Sequence, residues 1–295
     1  MSLIVSSTSN LQNPFAPFDA PLSAAFDANV NLAIAEDVGN GDHTGLLVPE
    51  NDFVQARVIV RAPAVLCGAP WFEAVMARLD PRLRVDWQYA EGDLMAADSE
   101  VCRIEGPARA LLTAERGALN FLQLLSGVAT ATRRYVDVVA GTRARILDTR
   151  KTLPGLRLAQ KYAVRVGGGM NQRLALYDGI LIKENHIAAA GGITAAVSAA
   201  LKLNAGVSIQ VEVENLDELN EALAAGASSV LLDNFSLDMM RASVQLTAGR
   251  AVLEASGGIN MESVRAIAET GVDRISIGSL TKDIQAADFS LRIVA

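Results

Sequence analysis

The sequence predicts an α/β protein in two parts, a small α+β domain followed by a parallel α/β barrel. Three observations support this prediction. Short strand-like runs dominate residues 53–112, a long helical pattern begins at Glu115, and strands then alternate with helices toward the end of the chain. Such successive βα units imply parallel strands joined by right-handed crossovers. No Gly/Ser-rich or Pro-rich linker separates the two parts.

The first part begins with an arm and a helix. Residues 1–24 lack the basic start and continuous apolar core of a signal peptide, and we expect them to form a loose arm. Apolar positions recur at helical spacing over residues 21–38, and another helix is expected near residues 71–79. The expected strands are QARVIVRA, AVLC, RVDWQY and SEVCRIEG. These elements predict an N-terminal domain over residues 25–114.

The second part contains short strands rich in Val, Ile and Leu, as expected for strands buried on both faces. They are ARILDT, GILIKE, SIQVEVE, SVLLDN, AVLEAS and RISIGS, with helices at residues 156–166, 193–203, 216–225, 237–246 and 261–270. An open dinucleotide-binding sheet would need G-x-G-x-x-G after its first strand, and ARILDTRKTLPG lacks it. We therefore expect a barrel over residues 115–295, with a C-terminal tail that can return to the first domain.

Composition excludes several classes of protein. No uninterrupted apolar stretch reaches the roughly 18 to 20 residues of a membrane-spanning helix. A net charge of −7 disfavours nucleic-acid and anionic-membrane partners. Two cysteines and two histidines are too few for a disulfide framework or an ordinary Cys/His zinc site. We expect a reduced cytoplasmic protein in which Cys67, Cys102 and His43 are structural, with the role of His186 open.

Polar residues, most of them ionisable, follow the expected strands at their carboxyl ends, where a parallel barrel places its chemistry. These residues are Thr149, Arg150, Lys151, Lys183, Glu212 and Asp233. A lysine in the apolar run GILIKE needs anionic partners because burial of an unpaired ammonium is costly. Glu212 and Asp233 are the only carboxylates expected inside the ring. A magnesium ion carried by a diphosphate would reconcile them with an anionic ligand, and structural salt bridges are the alternative.

Two glycine turns after consecutive late strands predict a phosphate site. Ser256-Gly257-Gly258 precedes a helix expected to start near Asn260, so backbone N–H groups are available to an anion, and Gly278-Ser279 follows the next strand. Residues 143–173 also carry eight basic side chains against one acidic side chain. The substrates are therefore expected to carry a phosphate and several further anionic groups.

Eight stretches then carry a family resemblance. They are EDVGNGDHT, ERGALNFLQLLSGVAT, DTRKTLPGLRLAQKYAVRVGGG, GILIKENHI, VEVENLDEL, LLDN, EASGGIN and ISIGSLTK. The run from DTRKT to GGG is specific, whereas EASGG alone is not. From about residue 25 onward the chain resembles quinolinate phosphoribosyltransferase, also called nicotinate-nucleotide pyrophosphorylase (carboxylating). The resemblance implies an N-terminal α/β sandwich, an incomplete α/β barrel and a homodimer.

The resemblance also implies a reaction and a set of site residues. Quinolinate and 5-phosphoribosyl-1-diphosphate, with Mg²⁺, would give nicotinate mononucleotide, diphosphate and CO₂ in de novo NAD biosynthesis. The implied catalytic residues are Lys151, Glu212 and Asp233, with Glu212 and Asp233 also expected near the metal. The implied substrate-binding residues are Arg116, Thr149, Arg150, Lys151, Gln172, Arg173, Lys183, Glu212 and Asp233. The implied phosphate-binding residues are Ser256, Gly257, Gly258, Ile277, Gly278 and Ser279.

One position departs from the family pattern. Where the family commonly has Asn-His-Arg, this chain has Asn171-Gln172-Arg173. Glutamine can donate a hydrogen bond to a carboxylate but has no acid–base role, so an essential histidine proton donor is excluded here. In the family, Arg116 comes from the neighbouring subunit, which would make the dimer necessary for activity.

Two rival functions stay open from the sequence. The first is a related enzyme with another acceptor, such as nicotinate phosphoribosyltransferase or the molybdenum-transport-associated paralogue. A monocarboxylate acceptor would need fewer cations than Arg116, Arg150, Arg173 and Lys183 provide. The second is a catalytically silent phosphate-binding protein, which would bind ligands without turnover.

Overall fold

The computed structural model describes residues 9–50 and 52–294. The helices are α1 (Ala20–Asp37), α2 (Ala69–Leu79), α3 (Ala108–Val138), α4 (Arg157–Val166), α5 (Glu184–Ala190), α6 (Ile193–Leu203), α7 (Leu216–Ala224), α8 (Leu237–Thr247), α9 (Val264–Ala268) and α10 (Ser279–Lys282), with a 3₁₀ turn at Gly45–Leu47. The strands are β1 (Phe53–Val60), β2 (Ala64–Val65), β3 (Arg84–Trp87), β4 (Leu94–Met95), β5 (Glu100–Pro107), β6 (Arg145–Leu147), β7 (Gly179–Ile182), β8 (Ser208–Val213), β9 (Ser229–Asp233), β10 (Val252–Ser256), β11 (Arg274–Ser276) and β12 (Phe289–Val294).

The described residues cluster into two compact units. The first comprises those of Met1–Ala131, Leu153–Gly167 and Asp283–Ala295, and the second comprises Thr132–Thr152 and Gly168–Lys282. The sequence placed one boundary between residues 114 and 115. The structure instead divides the chain within α3 and groups α4 with the first unit, because α4 packs its apolar residues into that unit's core.

The first unit is built on an antiparallel sheet. Its strand order is β12-β1-β5-β3, and a small second sheet pairs β2 with β4. The C-terminal tail supplies β12, whose Leu291 lies opposite Val58 of β1. The burial of β1 alternates along its second half, so one face of the strand packs into the core.

Residues 9–24 are not the loose arm that the sequence predicted. The side chain of Asn10 donates to the carbonyl of Trp87 at 3.0 Å and accepts from the Trp87 N–H at 2.7 Å. The helix α1 already begins at Ala20, where Asp19 caps the N–H of Leu22 at 2.8 Å. Residues 1–8 lie outside the described part of the chain. The polar composition of this segment predicted a loose arm. Its polar side chains, such as Asn10, instead form hydrogen bonds with backbone groups of the sheet.

An aromatic cluster fills the core of the first unit. Trp71 of α2 has its ring 5.0 Å from that of Phe26 in α1 and 5.3 Å from that of Tyr162 in α4. Tyr162 donates to the buried carboxyl of Glu91 at 2.9 Å, and Glu91 also accepts from the N–H of Gly68 at 2.8 Å. Burial raises the pKa of Glu91 to about 7. The helices are therefore joined by ring packing around one buried acid.

The second unit is the incomplete parallel barrel. The order of its sheet is β6-β11-β10-β9-β8-β7, so the first strand of the unit pairs with the last and the others follow in sequence. This cyclic order is that of a barrel rather than a doubly wound sheet. Among the described residues no ladder joins β6 to β7, and an isolated parallel bridge instead pairs Leu147 of β6 with Met170 of the loop that follows α4.

Several elements differ from the sequence prediction. The long helix begins at Ala108 instead of Glu115, and the last predicted long helix shortens to Val264–Ala268. Helices α5 and α10 and strand β4 were not predicted, because each is too short or too polar to show a period. Strand β12 was also missed, although the FSLRI part of its sequence alternates apolar and polar residues. Among the described residues no single helix is long and apolar enough to span a membrane, and α5 and α6 reach that composition only together across a 91° bend.

Candidate active site

The inner face of the barrel can be assigned from one side-chain contact. Gln210 of β8 donates to Glu254 of β10 at 3.0 Å, although β9 lies between these strands. Strands two apart in a flat sheet are roughly 10 Å apart, so the contact requires a curved sheet with both side chains inside. Because side chains alternate, Glu212 and Ser256 share this inner face. The alternation of side chains along β8 and β10 therefore points Glu212 and Ser256 into the interior of the barrel.

Lys183 and Glu212 form an ion pair at the carboxyl ends of β7 and β8. The ammonium of Lys183 lies 2.9 and 3.1 Å from the two carboxylate oxygens of Glu212. Lysine in the run GILIKE therefore has the anionic partner that its position requires. Lys183 follows the last residue of β7, and Glu212 is the penultimate residue of β8. Both side chains were predicted to lie at this end of the barrel.

Arg150 and Arg173 add positive charge next to this pair. Burial, together with the nearby charge of Arg150, lowers the pKa of Arg173, while Asp178 and Glu212 act in the opposite direction. The Arg173 guanidinium also donates to the carbonyl of Gly179 at 3.1 Å. The Nε atom of Arg150 is buried and has no hydrogen-bond partner among the described residues. Two arginines within electrostatic reach of each other favour an anionic ligand.

Asp148 organises the loop that carries Gln172 and Arg173. Its fully buried carboxylate accepts from the side chain of Asn171 at 2.6 Å and from the backbone N–H of Gln172 at 2.9 Å. No role was predicted for Asp148 from the sequence. Its position directly after the apolar run ARIL, as the single acid in a basic segment, is the signal that could have identified it.

A chain of polar side chains crosses the interior below Lys183 and Glu212. Gln172 donates to Gln210 at 3.1 Å, Gln210 donates to Glu254, and Ser276 of β11 also donates to Glu254. Glu254 is only 1% exposed. The expectation that Glu212 and Asp233 are the only carboxylates inside the ring is therefore wrong. Strand alternation could have revealed Glu254, because it precedes Ser256 by two residues.

Asp233 lies beside the glycine turn that follows β10. The parallel ladder pairs Asp233 with Ser256. Asn234 donates from its side chain to Asp233 at 2.8 Å and from its backbone to the Ser256 carbonyl at 3.0 Å. Gly257 and Gly258 have φ values of +102° and +58°, which favour glycine. The sequence predicted Asp233 and the turn but missed Asn234, which the LLDN stretch contains.

Lys151 lies next to the second glycine turn. A Cβ atom built on Gly278 would be 3.1 Å from Cδ and 3.8 Å from Nζ of Lys151, and 3.7 Å from the hydroxyl of Thr149. The carbonyl of Lys151 accepts from the Thr281 hydroxyl at 2.8 Å. The strand-end segment that follows β6 therefore lies against the turn after β11, as expected from the pairing of these strands.

Two expectations for the phosphate site need correction. The backbone N–H of Ile277 donates to the Leu147 carbonyl at 2.9 Å, and its side chain is buried, so that N–H is committed to the sheet. The helix after Ser256-Gly257-Gly258 starts at Val264, following a turn, and not near Asn260. The glycine turn itself, rather than a helix N-terminus, is therefore the available part of this site.

Two further candidate residues are Arg116 and His186. Arg116 is an exposed residue of α3 in the first unit. His186 is exposed in α5, and its Nδ1 accepts from the backbone N–H of Lys183 at 3.0 Å. The imidazole therefore caps the helix that begins after Lys183, which gives His186 a structural role.

A cavity of about 210 Å³ opens at the other end of the barrel strands. Its lining includes Arg143, Arg250 and Asp273. Arg143 pairs with Asp273, and Arg250 donates to the carbonyls of Leu246 and Thr247 at the end of α8. Because these guanidinium groups already bind protein partners, the cavity is a weaker candidate than the carboxyl ends of the strands.

The candidate residues therefore form three adjoining groups on one end of the barrel. The first is cationic and acidic, with Arg150, Arg173, Lys183 and Glu212. The second joins Thr149 and Lys151 to Gly278, and the third joins Asp233 and Asn234 to Ser256 and Gly257. The same edge of the sheet therefore carries three kinds of binding group. Cationic side chains can bind carboxylates, acidic side chains can bind hydroxyl groups or a metal ion, and the backbone of the glycine turns can bind phosphate.

Comparisons with known proteins agree with this arrangement. Residues 128–292 match the family described as quinolinate phosphoribosyl transferase, C-terminal domain, and residues 42–126 match the N-terminal domain of the same family. A Bacillus subtilis protein named probable nicotinate-nucleotide pyrophosphorylase [carboxylating] is 41% identical, over 90% of this chain and 92% of the relative.

Solved structures give the same result. The nicotinate-nucleotide pyrophosphorylase from Francisella tularensis is 45% identical with a TM-score of 0.90, covering 94% of this chain and 98% of that one. NadC from Streptococcus pyogenes is 36% identical with a TM-score of 0.89, covering 95% of this chain and 100% of that one. The matches span both parts of the fold and the whole barrel edge described above. The chain belongs to the quinolinate phosphoribosyltransferase family.

Proposed function

We propose that this chain is a decarboxylating quinolinate phosphoribosyltransferase of NAD biosynthesis. It transfers the phosphoribosyl group of 5-phosphoribosyl-1-diphosphate to quinolinate and releases diphosphate and CO₂. The names of its relatives support the reaction. The observation that carries the proposal is the approach of Arg150 to Arg173 at the edge where Lys183 meets Glu212.

The cationic group fits a dicarboxylate acceptor. Arg150 has a buried Nε atom without a partner among the described residues, and Arg173 has a pKa lowered by burial and by Arg150. Both observations describe positive charge that a bound anion would stabilise. Lys183 is 43% exposed, so its ammonium remains accessible beside Glu212. Quinolinate brings two adjacent carboxylates to such a site, whereas nicotinate brings one.

The reaction needs groups that the three site regions supply. The pyridine nitrogen of quinolinate forms a bond to C1 of the ribose as the bond from C1 to the diphosphate oxygen breaks, and the diphosphate leaves with that electron pair. Charge builds on the leaving group, and Lys151 beside Gly278 is the cation placed to stabilise it. The turn at Ser256-Gly257-Gly258 binds phosphate, and the arginines hold the acceptor at the reacting carbon.

Decarboxylation follows from the product of the first step. The ribosylated ring is cationic, so the C2 carboxylate can leave as CO₂ while its bonding electrons stay on the ring carbon. That carbon then takes up a proton, which gives nicotinate mononucleotide. Gln172 has no titratable proton to give. The chain therefore needs no separate cofactor for decarboxylation, and its contribution is to hold the ring while the carboxylate leaves.

Magnesium fits this site only together with a substrate. Among the described residues no cluster of three or more His, Cys, Asp or Glu side chains could hold a metal. Glu212 is paired with Lys183 through both oxygens, and Asp233 uses one oxygen for Asn234. Mg²⁺ typically joins one or two carboxylates to substrate phosphates. Asp233 and Glu212 would hold it, and the ion would neutralise charge on the diphosphate.

A homodimer is supported by an exposed apolar patch in the first unit. Leu112 and Arg116 lie one turn apart on α3, and Leu112 is 37% exposed. The neighbouring 3₁₀ turn exposes Leu46 and Leu47 by 66% and 82%. The segment that carries them is tied to α3 because Thr113 donates to Asp42 at 2.8 Å. We infer that a second copy of the chain covers this patch and receives Arg116 in its active site.

Subunit mixing tests the dimer directly. Arg116→Ala and Arg173→Ala should each lower the rate at limiting quinolinate at least about tenfold. Exchange of subunits between the two variants should then restore about a quarter of the wild-type activity. A hybrid dimer contains one site with both arginines only if Arg116 acts across the interface. If the activity does not rise although mass-tagged subunits show that exchange has occurred, Arg116 acts within its own chain.

Carbon dioxide release tests the function. The purified chain is mixed with Mg²⁺, phosphoribosyl diphosphate and ¹⁴C-carboxyl-labelled quinolinate, and with nicotinate in a parallel reaction assayed for nucleotide and diphosphate. We expect the reaction with quinolinate to give CO₂ and nicotinate mononucleotide, and the parallel reaction with nicotinate to give no nucleotide. Nucleotide from nicotinate would favour the related acceptor enzyme, and binding without turnover of either acid would favour a silent binding protein. Either of those results would overturn the proposed function.

A further inference from the structure

Asn234 contacts two regions of the proposed substrate site. It directly follows β9 and has a φ of +56°, a left-handed conformation that few residues other than glycine adopt, asparagine among them. Its side-chain amide donates to Oδ2 of Asp233 at 2.8 Å, and its backbone N–H donates to the carbonyl of Ser256 at 3.0 Å. One residue therefore bonds the acid at the end of β9 and the strand end that leads into the glycine turn.

The packing of Asn234 against Gly257 is unusually close. A Cβ atom built on Gly257 would lie 2.1 Å from Oδ1 and 2.9 Å from the backbone nitrogen of Asn234. Gly257 also has a φ of +102°, so both conformation and space require glycine here. The turn therefore packs directly against the asparagine side chain. Its position relative to Asp233 depends on Asn234.

We propose that Asn234 is a positioning residue for phosphoribosyl diphosphate. It fixes the Asp233 carboxylate and the Ser256-Gly257-Gly258 turn at one separation before the substrate arrives. The inference rests on the proposed function, in which Asp233 serves the ribose or metal and the turn binds phosphate. Groups that are already in place lose less freedom on binding and need no rearrangement in the transition state. Asn234 uses Oδ2 of Asp233 and leaves Oδ1 to the ligand.

The decisive variant is Asn234→Gly. Glycine keeps the left-handed backbone, so this substitution removes the amide without straining the turn. The chain offers a matched control in Asn204→Gly, because Asn204 has a φ of +45° and is an exposed cap at the end of α6. Both substitutions trade asparagine for glycine at positive φ, and only the first touches Asp233 and Gly257.

Binding of each substrate is measured separately by calorimetry, and KM and kcat are measured alongside. We expect Asn234→Gly to weaken phosphoribosyl diphosphate binding in the presence of Mg²⁺ by about tenfold, as the loss of one hydrogen bond to a charged group predicts. Quinolinate binding to the free enzyme should be unchanged. Asn234→Asp should weaken diphosphate binding further, because it places a second negative charge beside Asp233. Asn204→Gly should match the wild type in every measurement.

The outcomes separate this inference from the proposed function. If Asn234→Gly binds phosphoribosyl diphosphate as tightly as the wild type does, the positioning role is overturned. The proposed function would still stand if the wild type turns over quinolinate. Equal weakening of both substrates, or an equal loss in Asn204→Gly, would also overturn it, because a general loss of stability would explain the result. If the wild type turns over neither acid, the function fails, and the calorimetric comparison still decides whether Asn234 positions the phosphate site.

Discussion

Lys183 donates hydrogen bonds to both carboxylate oxygens of Glu212, at 3.1 and 2.9 Å. The lysine side chain is 43% exposed, and the glutamate side chain is only 13% exposed. The carboxylate is therefore largely enclosed, while the side chain of its lysine partner is partly exposed to solvent. An ammonium has three N–H donors, so Lys183 can bind a substrate carboxylate without releasing Glu212 entirely.

Replacing Lys183 should impair the use of quinolinate. We expect Lys183→Gln to lower kcat/KM for quinolinate at least about tenfold, because it removes a charge-assisted hydrogen bond and leaves Glu212 without its cation. Steady-state kinetics at limiting quinolinate measures this. Lys202→Gln, in an exposed part of α6, is the matched control. Equal kinetic constants for the Lys183 variant and this control would contradict a binding role.

Replacing Arg173 should affect both activity and ligand-induced stability. The Arg173→Ala variant is expected to use limiting quinolinate at least about tenfold less well, since each charge-assisted bond contributes roughly 1.5–3 kcal/mol. Quinolinate should also raise the Tm of the wild type more than that of the variant. Arg241→Ala removes an exposed arginine that pairs within α8 and serves as the control. An unchanged rate at limiting quinolinate would remove Arg173 from this role.

Introducing a histidine at position 172 should add a titration that the natural chain lacks. Gln172 donates to Gln210 at 3.1 Å and does not ionise. We expect Gln172→His to show an additional inflection at about pH 6.5 in kcat/KM for quinolinate, where an unperturbed imidazole titrates. The pH profile of both proteins measures this. A wild-type profile with the same inflection would assign it to another group.

Glu91 should make the first unit less stable as the pH rises. Burial raises its pKa from the ordinary glutamate value of 4.5 to about 7, so its protonated form is favoured in the folded state. The associated stability is fully present below about pH 4.5 and is lost as the pH rises through about 7, by roughly 3 kcal/mol. Glu91→Gln keeps an oxygen that can accept from Tyr162 and Gly68.

Urea unfolding across this pH range measures the effect of Glu91. The difference in unfolding free energy between the wild type and Glu91→Gln should shift in favour of the variant as the pH rises. Because other acids titrate in both proteins, only the difference between the two curves reports on Glu91. Parallel curves at all pH values would show that Glu91 is not the responsible group.

Removal of Mg²⁺ should act through the diphosphate. We expect no measurable Mg²⁺ binding to the free chain by calorimetry, since the described residues contain no cluster of three metal-binding side chains. In contrast, EDTA should weaken phosphoribosyl diphosphate binding and leave quinolinate binding unchanged. Ca²⁺-free buffers and added Mg²⁺ in excess of EDTA provide the control. Tight Mg²⁺ binding without substrate would contradict this arrangement.

The sequence alone determined the parallel α/β class, the strands of the barrel and the residues at their ends. Strand alternation and the position of each strand end depend only on local order, so Lys183, Glu212 and Asp233 could be assigned to one edge. The GILIKE run also required a partner for its lysine. The two glycine turns after late strands predicted a phosphate site, and the family resemblance then predicted the roles of Arg150 and Arg173.

Only the tertiary structure decided which side chains meet. Gln210 and Glu254 contact each other across an intervening strand because the sheet curves, and a linear pattern contains no measure of curvature. The left-handed turn at Asn234, the docking of Asn10 on Trp87 and the assignment of α4 to the first unit depend on neighbours far away in the chain. Local periodicity fixes which way a side chain points, whereas packing between distant segments fixes what it touches.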